Sequence, residues 1–146
     1  MPLNIRPGTI GDTPAITKLL GQMGYASGES EVAERLRHWC RDERNVVLVA
    51  ADVEVEGLAA LSVIPLLGRD GFRGRLMALV VAESSRGRGI AGLLLGAVED
   101  RARALECRDL EVTSSRARVA AQRFYDGQGF TEISRHSAHF LKPLHD

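Results

Sequence analysis

Hydrophobic residues recur along the chain with two different periods, which predict helices and strands. Apolar positions three or four residues apart indicate helices, whereas short apolar or β-branched runs bounded by turn residues indicate strands. The predicted helices are residues 11–24, 29–41, 89–105 and 117–128. The predicted strands are residues 3–6, 45–51, 58–66, 72–81, 109–113, 130–134 and 138–141. The order β-α-α-β-β-β-α-β-α-β-β predicts a single mixed α/β domain over residues 1–146, which ends in a β-hairpin.

Composition places the chain among ordinary globular proteins. Its 146 residues are 45% hydrophobic and 26% charged, with a net charge of zero. Zero net charge gives no support for binding to nucleic acid or to an anionic membrane. The longest apolar region, residues 46–67, is interrupted by Asp52, Glu54 and Glu56, so it does not predict a membrane span.

The cysteines and the first residues add two expectations. Cys40 and Cys107 lack the spacing of a metal site or a disulfide framework, so no metal is expected. Residues 1–4 have neither a basic segment nor an apolar one that would indicate a secretory signal. The cytoplasm is therefore the expected location.

Residues 78–92 carry the clearest chemical signal. An apolar strand ends at Val81, a polar turn follows, and a loop rich in glycine and arginine leads into an amphipathic helix. Free N–H groups and the positive end of the helix dipole point out of such a loop, which favours an anion. The expected ligand is a cofactor that carries phosphate, although the same glycines also suit a tight turn without a ligand.

The segment Gly87-Arg-Gly-Ile-Ala-Gly92 matches the dinucleotide pattern G-x-G-x-x-G, and Asp109 and Glu111 lie where a ribose ligand would be expected. The surrounding pattern disagrees with this interpretation. A dinucleotide fold needs repeated β-α-β units, whereas a predicted hairpin precedes the loop. No Lys-Ser or Lys-Thr follows the last glycine, which excludes a Walker loop.

Two ordered motifs resemble the signatures of the GNAT N-acetyltransferase superfamily. Arg86-x-x-Gly89-x-Ala91 is similar to its acetyl-CoA signature, [Q/R]-x-x-G-x-[G/A]. Ala120-x-x-x-Phe-Tyr-x-x-x-Gly-Phe130 resembles the second signature, and one helix and one strand are predicted between the motifs. The resemblance covers nearly the whole chain and implies the single-domain GNAT acyl-CoA N-acyltransferase fold.

The resemblance implies that acetyl-CoA is the cosubstrate. In the family, the strand before the loop separates from the next strand at a bulge, and the cofactor pairs with the exposed backbone. The loop and the helix that follows hold the pyrophosphate. The implied cofactor-binding residues are Leu79, Val80, Val81, Arg86, Gly87, Arg88, Gly89, Ile90, Ala91 and Gly92.

Catalytic roles follow from the same resemblance. Tyr125 occupies the position of a tyrosine that protonates the leaving CoA sulfur, and the amide of Val80 or Val81 is the candidate oxyanion donor. Glu111 is the candidate general base, although its place in the strand also fits a side chain that faces solvent. Arg118 replaces an asparagine of the family that contacts the cofactor. Arginine cannot accept a hydrogen bond, so that role is not transferred.

The expected acceptor is the primary amine of a small molecule, attacked directly in a ternary complex. The acidic residues Glu29, Glu31 and Glu34, near Tyr25, suit either a cationic amine or a solvated helix face. A protein or peptide acetyltransferase and a non-catalytic CoA-binding regulatory domain are the alternatives. A homodimer is a further expectation, since dimers are common in the family.

Overall fold

A computed structural model describes residues 3–145. The chain divides into two compact units between Val112 and Thr113. The first unit contains β1 (Asn4–Pro7), α1 (Thr13–Gln22), α2 (Glu29–Cys40), β2 (Asn45–Ala51), β3 (Val55–Pro65), β4 (Phe72–Val81), α3 (Ile90–Ala104) and β5 (Cys107–Glu111). Short 3-10 turns lie at Ile10–Asp12 and Glu83–Ser85, and the second unit contains α4 (Val119–Gly127).

The strands of the first unit form one mixed sheet in the order β1-β2-β3-β4-β5. The first four strands are antiparallel to their neighbours, and β5 runs parallel to β4. A parallel pair needs a crossover connection, which α3 provides between β4 and β5. The predicted mixed α/β class is therefore confirmed.

Helices cover both faces of this sheet. On one face, Ile16 and Leu19 of α1 and Val32 of α2 pack with sheet residues that include Leu58. On the other face, Gly57 lies against α3: an added Cβ would be 2.8 Å from the Cδ1 atom of Leu94. Neighbouring residues of a strand point to opposite faces. Gly57 therefore faces α3, and its neighbour Leu58 faces α1 and α2.

The start of α1 is fixed by an ion pair. Nη1 and Nη2 of Arg6 donate to the carboxylate of Asp12 at 2.8 and 2.9 Å, and the Thr9 amide donates to the same carboxylate at 2.8 Å. Asp12 is the N-cap residue of α1. The hydrogen bonds from Arg6, chiefly, lower the pKa of Asp12 to about 2.

The predicted closing hairpin is wrong. Residues 130–134 and 138–141 form turns and irregular chain, and no strand is found between residues 113 and 145. A strand needs a hydrogen-bonding neighbour, and the described part of the second unit offers only α4. The prediction of β5 at residues 109–113 is also displaced, since the strand begins and ends two residues earlier. The single-domain assignment stays a prediction.

Candidate active and cofactor-binding site

The middle of β4 has one open edge. β4 pairs with β5 only from Phe72 to Arg75, where Arg75 lies opposite Glu111. On its other side, β4 stays paired with β3 as far as Val81. Residues 76–81 therefore have no strand on the β5 side within the first unit. Their backbone groups on that edge are available to another extended chain.

The ladder with β3 shows which residues use that edge. Ala82 donates its amide to the carbonyl of Glu56 at 2.8 Å, in register with the β3–β4 pairs. Hydrogen-bonded and non-bonded pairs alternate in an antiparallel ladder, so Val80 directs its backbone toward β3. Leu79 and Val81 direct their N–H and C=O groups to the open edge. Of the two candidate oxyanion donors, only Val81 therefore has an outward amide.

A bulge lies at the start of the open edge. Leu61 of β3 pairs with Leu76, whereas Ala60 pairs with Ala78, so Met77 is an extra residue in β4. Its side chain is 51% exposed. Bulges bend a strand and redirect its side chains, often next to active sites. The resemblance implied a bulge in this strand, but nothing in the sequence identified Met77 as its residue.

The glycine-rich loop is shaped as an anion site. Gly87 and Gly89 have φ values of +83° and +76°, and a Cβ on either would meet no atom within 4 Å. Gly89 is the N-cap of α3 and has no side chain to bond the first amides of the helix. The amides of Ile90, Ala91 and Gly92 have no acceptor within the helix because they lie in its first turn, and that turn contains no acidic residue.

Two arginines add positive charge to this loop. Nε of Arg86 donates to the carbonyl of Val81 at 3.4 Å, which connects the loop to the open edge of β4. Nη1 of Arg88 lies 3.0 Å from Oε2 of Glu56. Open space, unbonded helix amides and guanidinium groups together fit a pyrophosphate. The loop and the strand edge thus suit the two chemically different parts of CoA, an anion and an amide-containing chain.

Glu111 lies at the end of β5 in an ion pair. Nε and Nη2 of Arg75 donate to its Oε1 atom at 2.8 and 2.6 Å. Nη1 of Arg73 lies 4.0 Å from its Oε2 atom, and the Glu111 side chain is 30% exposed. These charge-assisted hydrogen bonds engage one carboxylate oxygen of Glu111 in holding β5 to β4. The ion pair supports a structural role for Glu111, and the base role stays a prediction.

Tyr125 lies in α4, in the second unit. Its ring makes edge-to-face contacts with Phe124 and Phe130, each with ring centroids 5.4 Å apart. Burial raises the pKa of the Tyr125 phenol, and the charge of Arg118 opposes this effect. A phenol that stays protonated keeps the proton that a general acid must donate.

Comparison with known families agrees with this geometry. The sequence matches the family model described as "Acetyltransferase (GNAT) family" over residues 13–130. The chain belongs to the GNAT acetyltransferase family. That match spans the loop in the first unit and α4 in the second, and it confirms the family assignment made from the two motifs. A search of curated protein sequences gave no match.

Solved structures show the GNAT fold over nearly the whole chain. A transcriptional regulator from Bacillus halodurans C-125 has a TM-score of 0.84 and 23% identity, covering 97% of this chain and 99% of that one. Glucosamine-6-phosphate N-acetyltransferase from Arabidopsis thaliana has a TM-score of 0.82 and 19% identity, covering 99% and 100%. An aminoglycoside acetyltransferase from an uncultured soil metagenomic sample has a TM-score of 0.79 and 21% identity, covering 99% and 100%.

The residue that departs from the GNAT pattern lies at the start of α4. Arg118 is the N-cap residue of that helix, and its carbonyl accepts the amide of Gln122 at 3.2 Å. The Ser115 hydroxyl accepts the Ala117 amide at 3.3 Å. The helix therefore begins at Val119, two residues later than predicted, with an arginine where many GNAT members have asparagine.

Acidic residues near the loop between α1 and α2 are mostly engaged in local pairs. Glu31 accepts the Gly28 amide at 3.2 Å, and Glu34 lies 3.1 Å from Arg37 and 3.4 Å from His38. These pairs favour the interpretation of a solvated helix face. Tyr25, in the same loop, is 64% exposed and was expected in the acceptor region.

Two further findings concern metal sites and membrane-spanning helices. Among residues 3–145, no three His, Cys, Asp or Glu side chains converge in a way that could hold a metal ion. Within the same residues, no helix combines the length and apolarity that a membrane span requires.

Proposed function

We propose that this protein is an N-acetyltransferase that transfers an acetyl group from acetyl-CoA to a primary amine of a small molecule. The observation that carries the proposal is the open edge of β4 directly beside the anion loop, in a chain of the GNAT family. Acetyl-CoA supplies an activated thioester together with the pyrophosphate that such a loop suits. Direct attack by the amine in a ternary complex needs no covalent enzyme intermediate.

Different groups of the chain are proposed to bind the two parts of acetyl-CoA. The amides of Ile90, Ala91 and Gly92 would hold the pyrophosphate, with Arg86 and Arg88 adding charge. The outward backbone groups of Leu79 and Val81 would hold the pantetheine arm in the manner of an added strand. The Val81 amide is then the donor available to an oxygen that gains negative charge during acyl transfer.

Proton transfer needs one donor and one acceptor. Tyr125 is the proposed donor to the leaving sulfur: a tyrosine phenol is already protonated at neutral pH, and burial raises the pKa of this one further. Glu111 already accepts two hydrogen bonds from Arg75, so we propose that water takes the proton from the amine. The acceptor amine must be neutral when it attacks, which favours activity at mildly alkaline pH.

Calorimetric titration with acetyl-CoA and a free-thiol assay test the proposal. The acceptor panel comprises glucosamine 6-phosphate and aminoglycosides, after the substrates named for two structural neighbours, together with simple diamines and lysine-containing peptides. We expect binding of acetyl-CoA and thiol release with at least one small amine. Thiol release with peptides alone would favour the peptide acetyltransferase. Binding without turnover would indicate a CoA-binding regulatory domain, and absence of binding at millimolar acetyl-CoA would contradict the proposal.

A further inference from the structure

Glu56 contacts the glycine-rich loop at two places. Its backbone carbonyl accepts the amide of Ala82, the residue that follows β4, at 2.8 Å. Its carboxylate Oε2 lies 3.0 Å from Nη1 of Arg88, near the far end of the loop. One residue at the start of β3 therefore holds both the entry to the loop and the arginine within it.

The beginning of the loop borders an open pocket. A pocket of about 350 Å³ lies between α1 and the beginning of the loop, bounded by Gln22, Glu56, Ala82, Ser84 and Ser85 among others. Dense packing normally fixes the position of a chain segment, and an open pocket on one side removes that restraint. Ser85 is packed at 2% exposure, and the contacts to Glu56 add restraint on the side of the loop that this pocket leaves open.

The two sides of the ion pair differ in exposure. The Glu56 side chain is 20% exposed, whereas that of Arg88 is 51% exposed. The carboxylate is thus the more fixed partner, and the guanidinium reaches back from the loop to meet it. Arginine has five N–H donors, so one bond to Glu56 leaves others for a phosphate.

We propose that Glu56 is a positioning residue that holds Arg88 and the anion loop in the arrangement that receives the cofactor pyrophosphate. The proposal rests on the function proposed above, because it takes acetyl-CoA as the ligand of the loop. It adds a residue on β3, outside both sequence motifs, to the residues on which cofactor affinity depends.

Two physical effects of Glu56 have opposite signs, which makes the proposal testable. A carboxylate beside an anion site repels phosphate, so its removal would by charge alone tighten the binding of acetyl-CoA. A carboxylate that orients Arg88 lowers the cost of ordering the loop, so its removal would weaken binding. Glu56→Gln retains the size of the side chain and its polarity while it removes the charge.

The first experiment compares Glu56→Gln with Glu54→Gln in the full-length protein. Glu54 lies two residues earlier, is exposed and carries the same charge, so its variant controls for the change in net charge. We expect Glu56→Gln to raise the Kd and KM for acetyl-CoA by about two- to five-fold, the range expected for one partly exposed pair, with kcat unchanged. Glu54→Gln should leave the Kd, KM and kcat unchanged.

A double-mutant cycle with Arg88→Gln then tests whether the two residues act together. If Glu56 acts through Arg88, the double variant should raise the Kd no further than Arg88→Gln alone. Additive effects of the two changes, a lower Kd in Glu56→Gln, or an equal rise in Glu54→Gln would each overturn the positioning role.

Hydrogen exchange of the free protein separates this inference from the proposed function. Loss of the contact between Glu56 and Arg88 should speed exchange of the amides at residues 86–92 in both Glu56→Gln and Arg88→Gln, while exchange in β2 stays unchanged. Unchanged exchange in the loop would contradict the inference even if acetyl-CoA binds. Failure of the wild-type protein to bind acetyl-CoA would instead contradict the proposed function, and faster loop exchange would still identify Glu56 as the residue that holds the loop.

Discussion

Arg75 and Glu111 form the last cross-strand pair before β4 and β5 separate. Two N–H groups of Arg75 meet one carboxylate oxygen of Glu111, and the preceding pair joins Arg73 to Asp109 at 2.8 and 3.0 Å. The hydrogen bonds from Arg73, chiefly, lower the pKa of Asp109. Two guanidinium–carboxylate pairs in succession therefore fix the register of β5 at the point where the open edge begins.

The first prediction tests whether Glu111 has a structural role, as the partner of Arg75, or acts as a general base. The pair with Arg75 is partly exposed, so Glu111→Gln and Arg75→Gln should each cost about 0.2–1 kcal/mol of stability and leave kcat nearly unchanged. A general base would instead lose about 100-fold or more in kcat in Glu111→Gln alone. Thermal unfolding and kcat of both variants, compared with the wild-type protein, would distinguish these outcomes.

The sequence identifies those parts of the fold that local pattern determines. β2 and β4 have the predicted bounds because each is an apolar run between turn residues, and α2 and α3 agree within one residue. The prediction of the closing strands was wrong because a pattern of apolar residues does not show whether a strand has a partner to pair with. Ile133, Phe140 and Leu141 satisfy the strand pattern, yet all three are exposed.

The candidate site also has features that local sequence predicts and features that it does not. The glycines at positions 87 and 89 were readable from the sequence because only glycine takes a positive φ at low cost, and both do so here. The outward amide of Val81, the bulge at Met77 and the contact between Glu56 and Arg88 depend on strand register or on residues 32 positions apart. No local spacing in one sequence reports such contacts.

The second prediction concerns the proton donor. Tyr125→Phe should lower kcat by about 100-fold while the KM for acetyl-CoA changes little, because the hydroxyl acts on the leaving group. The raised pKa of Tyr125 places the alkaline loss of wild-type kcat above the ordinary tyrosine value of about 10. Equal kcat in Tyr125→Phe and wild type across the pH range would exclude the general-acid role.

The third prediction concerns stability in acid. The pKa of Asp12 falls to about 2 in the folded protein, below its usual value of 3.8, so the unfolded state binds the proton more readily. The buried carboxylate therefore contributes about 2 kcal/mol at neutral pH, and this contribution disappears as the pH falls from about 4 to about 2. Urea unfolding at several pH values should show this loss.

Two variants identify the group responsible. Asp12→Asn should reduce the pH dependence in that window by the part that Asp12 contributes, and should destabilise the protein at pH 7, because Arg6 loses its partner. Asp100→Asn, at an exposed position of α3, should retain the wild-type dependence. A wild-type slope in Asp12→Asn would show that another group controls acid stability.

The last prediction uses two glycines that have opposite roles near the same helix. Gly89 has a φ of +76°, so Gly89→Ala should cost about 1 kcal/mol of stability, because a Cβ is strained in the left-handed region. Its methyl group would also stand in the open space before the first amides of α3, and should raise the KM for acetyl-CoA. Gly96 lies inside α3, where a Cβ would meet nothing within 4 Å, so Gly96→Ala should stabilise the protein by about 0.5–1 kcal/mol. Chemical denaturation and acetyl-CoA titration of both variants check these opposite signs, and a wild-type KM in a destabilised Gly89→Ala would remove the loop from the cofactor site.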